Sequence, residues 1–315
     1  MTTHIDADQL AQLLQWPDLV ARMKSMFASA TTVPERLHYS VGNASMRETP
    51  TLLLMPAWND DFLCVKIVNV FPDNAQHKIA ALNSTYLLYS NKTGQTLASI
   101  DGNQLTAMCT AATSAAAADF LARKVAAHLL VVGAGRVASL IPAAYSAVRK
   151  LQSVKVWNRH SEPAEKLVAQ LSKQGFNASV TTDLKAAVES SDMISAATLS
   201  TQPLILGAWI QPGTHVDLIG GFRENMREAD DALVANATLF ADTKMAAAEA
   251  GDIVHPLKWG LIEVSSITTL DKLCSGQHQG RNDDKQKTLF KSVGSALADI
   301  AAASLAYWCF AETKP

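Results

Sequence analysis

The run Leu129-Leu130-Val131-Val132-Gly133-Ala134-Gly135-Arg136-Val137-Ala138 constrains the fold more than any other stretch of this sequence. Four apolar residues leading into G-x-G-x-x-A read as a strand that ends in a tight turn and opens a helix. Gly133 permits the turn, Gly135 lets the backbone approach a bulky anion, and Ala138 keeps the helix close to the strand. The amides at the helix start, around Gly135, Arg136 and Val137, point their partial positive charge at whatever sits there. A glycine-rich turn without a ligand is the plain alternative. The strand before and the helix after favour a pyrophosphate site.

The next strand candidate, Val154-Lys155-Val156-Trp157, decides which dinucleotide. NAD-binding versions of this turn place Asp or Glu about 20 residues on, where it holds the ribose 2'-hydroxyl. Here that place is filled by Asn158-Arg159-His160. No carboxylate is present to repel a 2'-phosphate, and the planar fork of Arg159 can pair with one. NADP(H) is therefore the expected cofactor, with Asn158, Arg159 and His160 as its ribose-phosphate contacts. A solvated arginine at a strand end is the competing reading of Arg159.

Downstream the pattern repeats as strand then helix: a helix to Lys150, another over Ala164 to Lys173, then strand candidates ASVTT, SDMISAAT, THVDLIGG and ATLFAD. Such alternation implies a parallel, doubly wound sheet. Upstream the texture differs. Apolar spacing from about Asp6 to Ala30 predicts a helical opening broken near Trp16-Pro17, and short runs between Arg36 and Ile100 predict an antiparallel sheet or meander. An Ala-rich helix from Asn103 to Lys124, capped by Asp101 or Asn103, should join the two parts. A second Ala-rich helix over Ser292 to Phe310 should pack back on the first, and Gly276 to Lys287 is the one stretch expected to be disordered. The expectation is an α/β protein: a doubly wound parallel Rossmann-type sheet over 116-291, with a second α+β substrate-binding and dimerisation domain from 1-115 plus 292-315.

Composition narrows the partners. With 27 basic and 29 acidic residues and no Lys/Arg block, nucleic acid is an unexpected partner. Cys64, Cys109, Cys274 and Cys309 are scattered without C-x-x-C or a neighbouring His at ligand spacing, so they read as reduced thiols and no metal site is expected. The sequence lacks a signal-peptide pattern and an apolar run of membrane-spanning length, which predicts a cytoplasmic protein.

Several runs together resemble the ornithine cyclodeaminase/mu-crystallin family, over nearly the whole chain. They are Val33-Pro34-Glu35-Arg36, Leu54-Met55-Pro56-Ala57, Val65-Lys66-Ile67-Val68-Asn69, Leu105-Thr106-Ala107 with Thr110-Ala111-Ala112, the Gly133 loop, Ile219-Gly220-Gly221, Glu249-Ala250-Gly251-Asp252, and Ser292-Val293-Gly294 with Asp299. The resemblance implies a homodimer formed through the first domain's sheet. It implies that Arg36 and Lys66 grip an amino-acid carboxylate, with Lys66 also a proton donor and Asn83 a further substrate contact on the next strand. It adds Thr110, Thr198 and Gly220 to the cofactor contacts. On the residues alone, Lys66 within FLCVKIVNVF either faces a cleft or alternates out to solvent.

Two departures from the family pattern matter: the first narrows the expected activity, the second weakens the expected site assignment. Cyclodeaminases carry a catalytic aspartate directly after the glycine pair, where this chain has Phe222, which has no group to accept a proton or to pair as a carboxylate with a cationic side chain. Most members also have an arginine where this chain has Cys109, so either Arg36 and Lys66 suffice for the carboxylate or Arg47 or His38 is recruited. The resemblance thus implies NADPH-dependent reduction of a cyclic ketimine, delta-1-pyrroline-2-carboxylate or delta-1-piperideine-2-carboxylate, to L-proline or L-pipecolate. A mu-crystallin-like NADPH-binding protein without turnover and an alanine-dehydrogenase-like enzyme are the alternatives, with ornithine cyclodeamination disfavoured.

Overall fold

A computed structural model describes residues 2–41, 49–77 and 79–312. The chain divides into two compact units, one of residues 1–109 with 296–315 and one of residues 110–295.

In the first unit, strand β1 (Thr3–Ile5) leads into helices α1 (Ala7–Leu13) and α2 (Trp16–Phe27). Asp6 caps α1 by accepting from the Gln9 amide, and Pro17 sits in the first turn of α2, where its missing N–H costs nothing. The expected break is thus the junction of two helices. Strands β2 (Leu37–Ser40), β3 (Thr51–Trp58), β4 (Phe62–Val70), β5 (Leu82–Ser90) and β6 (Thr96–Asp101) form the expected antiparallel meander. β1 joins its edge in parallel beside β6, a pairing that three residues of sequence do not announce.

Helix α3 (Gly102–Leu121) follows at once, and Asp101 caps it, accepting from the Gln104 amide at 2.7 Å. The division between the units falls inside this helix.

The second unit begins with β7 (His128–Val132), α4 (Arg136–Ser146), β8 (Ser153–Trp157), α5 (Ser161–Lys173), β9 (Ala178–Val180) and α6 (Leu184–Glu189). It continues through β10 (Met193–Ala196), β11 (His215–Leu218), α7 (Asp231–Ala235), β12 (Thr238–Ala241), α8 (Ala246–Glu249) and α9 (Gly251–Lys258). It closes with β13 (Ile267–Thr269), α10 (Leu270–Cys274) and β14 (Thr288–Lys291). The strands lie in the order β13-β12-β14-β11-β10-β7-β8-β9 and all pair in parallel, the doubly wound arrangement read from the sequence. Both faces are covered, and Leu130, Val132, Ile194, Ala196, Val216 and Leu218 are buried in its core.

Two expectations need correction, and one strand is new. The helix after the glycine turn ends at Ser146 instead of running to Lys150. The stretch from Gly276 to Lys287 is ordered: the Arg281 guanidinium donates to the carbonyls of Leu121, Asp283 and Gln286, and the Arg281 amide to Phe120. One arginine with several backbone acceptors outweighs the polar composition there. Directly after it, β14 lies in the middle of the sheet, between β11 and β12.

The chain then returns to the first unit as α11 (Ala296–Glu312), which packs on α2 and on β3 to β6. Ala and other apolar residues surround this helix on every side, so it can be enclosed between α2 and the sheet.

Candidate active site

Sheet alternation in the first unit sorts its polar side chains by face. Along β4, Phe62, Cys64, Lys66 and Val68 face the helices and are buried. Lys66 pairs across the strands with Met55 on one side and Tyr86 on the other. An ammonium 6% exposed in such a row needs a counter-charge, and α11 supplies it. Lys66 Nζ lies 2.6 Å from Asp299 Oδ2. The pair is held by charge and proximity more than by an aligned hydrogen bond. The other carboxylate oxygen, Oδ1, accepts from the Cys109 thiol at 3.2 Å. Of the two open readings of Lys66, the solvent-facing one is excluded.

Arg36 precedes β2 by one residue. Within β2 Leu37 pairs with Leu54, so continuing the alternation by one residue would turn Arg36 toward the face that carries Lys66. Asn83 behaves differently. It pairs with Asn69, three positions from Lys66, so alternation turns it to the other face, and its side-chain amide donates to the Ala80 carbonyl. The structure does not bring Asn83 to Lys66, a correction to the expected substrate set. His38 is exposed and pairs with Leu53, on the face of Lys66 but further along the sheet. Arg47 lies outside the described residues. Cys64 is inert, because burial pushes its thiol up to about 12.

In the second unit the strand order reverses between β7 and β10, and in open parallel sheets ligands sit beyond the carboxyl ends of strands at such a point. Gly133 follows β7 with φ +111°, and an added Cβ would fall 2.6 Å from the Ala197 carbonyl oxygen, so only glycine fits. Gly135 opens α4 with no side-chain cap and open space on its Cβ side, and Arg136 beside it is exposed. The amides of Gly135, Arg136 and Val137 therefore form a helix start to which a pyrophosphate can come close.

Asn158, Arg159 and His160 follow β8, with Arg159 and His160 exposed and the Asn158 amide donating to the His160 carbonyl. The nearest acid in sequence, Glu162, is exposed and paired with Lys166 at 2.6 Å. Thr198 and Gly220 lie two residues beyond β10 and β11. Thr110 is half-buried in α3. These residues fit a dinucleotide, and when bound that group supplies a hydride.

Four buried charged residues escaped the sequence reading as site residues. Asp299 is the partner of Lys66. Glu228, Asp252 and Lys291 are fully buried in the second unit, with Lys291 Nζ 3.1 Å from Asp252 Oδ2. A lone lysine ending the apolar run TLFK was the available signal. Among the described residues no cluster of His, Cys, Asp or Glu could hold a metal ion, and no helix is long and apolar enough to cross a membrane.

A Rossmann-type sheet with a glycine turn at its switch point, joined to an α+β unit holding a buried lysine–aspartate pair, defines a nicotinamide-dinucleotide-dependent oxidoreductase. The chain belongs to the Ornithine cyclodeaminase/mu-crystallin family, which it matches over residues 13–314. The Delta(1)-pyrroline-2-carboxylate reductase of Colwellia psychrerythraea is 33% identical over 306 residues, spanning 95% of this chain and 96% of its own. The protein of the same name from Paracoccus denitrificans is 37% identical over 261 residues, 81% of this chain and 82% of its own. The fold is also that of the Thermococcus litoralis Delta(1)-pyrroline-2-carboxylate reductase solved with NADH and L-proline. The TM-score is 0.91 at 30% identity, covering 99% of this chain and 98% of the other.

Proposed function

We propose that this chain reduces a cyclic ketimine carboxylate with NADPH, taking delta-1-pyrroline-2-carboxylate to L-proline and, as a second ring size, delta-1-piperideine-2-carboxylate to L-pipecolate. The observation that carries this reading is the buried Lys66–Asp299 pair, with Arg36 one residue before β2 of the same sheet. Relatives named for the pyrroline substrate support the ring chemistry. Reduction of a C=N bond consumes one hydride and one proton. Arg36 holds the substrate carboxylate through its planar fork. Lys66, kept in place by Asp299, offers its ammonium to the imine nitrogen, so that the nitrogen carries a proton when the adjacent carbon is reduced. Phe222, where a catalytic acid would serve cyclodeamination, leaves no group for that chemistry after the glycine pair.

The test mixes purified protein, NADPH and each ring size and follows the absorbance of the reduced cofactor. Turnover on neither ring removes the proposal. Tight NADPH binding without turnover would point to a mu-crystallin-like binding protein, and turnover of pyruvate plus ammonia to an alanine-dehydrogenase-like enzyme.

The preference for NADPH rests on Arg159 and on the absence of an acid from Asn158-Arg159-His160. Arg159→Ala should weaken NADPH binding roughly tenfold or more, the worth of a charge-assisted phosphate contact, while leaving NADH within about twofold. Fluorescence titration with both cofactors checks this, and an equal loss for both would refute it.

The homodimer is proposed on the sheet face opposite Lys66. There Leu37 and Tyr39 are 47% and 48% exposed, and Leu52, Leu54, Ile67 and Leu87 are only partly covered. A row of large apolar side chains on one face marks a protein interface. Light scattering should return about twice the 33.8 kDa chain mass, and a monomer at micromolar concentration would overturn it.

A further inference from the structure

Glu228 is fully buried and has no part in the chemistry above. Its carboxylate joins two strand ends. Oε1 accepts from the Thr198 amide at 2.7 Å and from the Thr198 hydroxyl at 2.8 Å, and Oε2 accepts from the Gly220 amide at 2.7 Å. Thr198 and Gly220 follow β10 and β11, the strands beside the switch point. The two loops approach so closely that a Cβ on Gly220 would fall 1.8 Å from the Thr198 carbonyl oxygen and 2.4 Å from Glu228 Oε1.

The main chain that carries Glu228 is itself held. Asp252 Oδ1 accepts from the amides of Glu228 and Ala229 at 2.8 and 3.0 Å, and Lys291 anchors the other oxygen of Asp252. Three donors aimed at one carboxylate, in a place closed to water, form a fixed brace.

We propose that Glu228 is a positioning residue for the dinucleotide: by binding Thr198 and Gly220 at once it fixes the separation of the β10 and β11 loops on which the nicotinamide half rests. The inference rests on the function proposed above, because it needs a dinucleotide at the switch point. Charge distinguishes the brace from ordinary packing. An ionised carboxylate satisfies all three donors, whereas a protonated one turns a hydroxyl hydrogen toward at least one of them.

Burial pushes the Glu228 carboxyl up to about 7, against the pull of the Lys291 charge, while the Asp252 charge adds to the rise. Above that pH the brace is closed, and below it one donor is lost. Affinity for the cofactor should therefore weaken as pH falls through neutrality. NADH serves as the probe, since it lacks the 2'-phosphate whose own titration would overlap.

The experiment measures NADH affinity of the full chain by fluorescence between pH 6 and 8, well below the melting temperature. Alongside it, hydrogen exchange is followed over residues 194–201 and 217–223. The wild type should bind several-fold more weakly at pH 6 than at pH 8. Glu228→Gln, which presents an amide N–H to the same donors, should bind roughly tenfold more weakly at pH 8, lose the pH dependence and exchange faster in both segments. Should Glu228→Gln fail to fold, Thr198→Val removes the hydroxyl donor to Glu228, together with the acceptor of the Ser200 amide, and should weaken binding about threefold, flatten its pH dependence and speed exchange in residues 217–223 as well as 194–201. Wild-type affinity and exchange in the variants, with NADH still bound, would overturn the brace while leaving the proposed function standing. Failure of the wild type to bind any dinucleotide would remove the functional reading instead, and the brace with it.

Discussion

Lys66→Met should lower kcat/KM for the cyclic imine by roughly 10²- to 10⁴-fold, the usual worth of a positioned proton donor, while NADPH binding stays within about twofold. The substitution also strands Asp299, a carboxylate 1% exposed, without its counter-ion. Breaking one side of a buried pair costs about 3–5 kcal/mol, enough to confuse lost chemistry with lost folding. The double variant Lys66→Met/Asp299→Asn separates the two. It removes both charges, should regain most of the wild-type melting temperature, and should remain as inactive as the single variant. Activity returning with stability would show that Lys66 holds the fold and takes no part in the reaction. Asp299→Asn alone should reduce kcat more than KM for substrate, because it unseats Lys66 without touching Arg36.

The second large effect concerns stability. Lys291 and Asp252 are both 0% exposed in the second unit, and the Asp252 carboxylate also binds the amides of Glu228 and Ala229. Lys291→Met leaves that carboxylate uncompensated, at a cost of about 3–5 kcal/mol. In a domain of this size 1 kcal/mol shifts Tm by about 2–4 °C, so calorimetry should record a loss of roughly 10 °C. A shift under about 2 °C would mean that backbone amides alone can carry the Asp252 charge.

Local sequence made some features legible and hid others for physical reasons. The glycine turn, the strand before it and the helix after it declared themselves because Gly133 must adopt φ +111°, which restricts the residue locally. The parallel sheet was readable where strands were uninterrupted apolar runs, as in Leu129 to Val132. β14 was not, since its four residues end in Lys291, whose burial depends on an aspartate 39 positions away. Asn83 was misplaced by one step of alternation, because motif matching gives a position along a strand but not the face. Asp299 sits among alanines on α11, and its role appears only once that helix is laid against β4. Cofactor preference and substrate ring size depend on contacts with bound molecules, which no local pattern of residues records.

The return of α11 to the first unit carries a consequence for how the protein is made. β6 ends at Asp101, yet the helix that covers the buried face of its sheet begins at Ala296. At 5–20 residues per second, a ribosome needs roughly 10–40 s to cross that interval. During this time the row containing Lys66 has neither its lid nor its counter-ion. A polypeptide cut short after β14 would lack α11, leaving the apolar face of the first sheet uncovered and Lys66 without its counter-charge. Synthesis of α11, more than assembly of the parallel sheet, is the event that gives Lys66 its counter-charge.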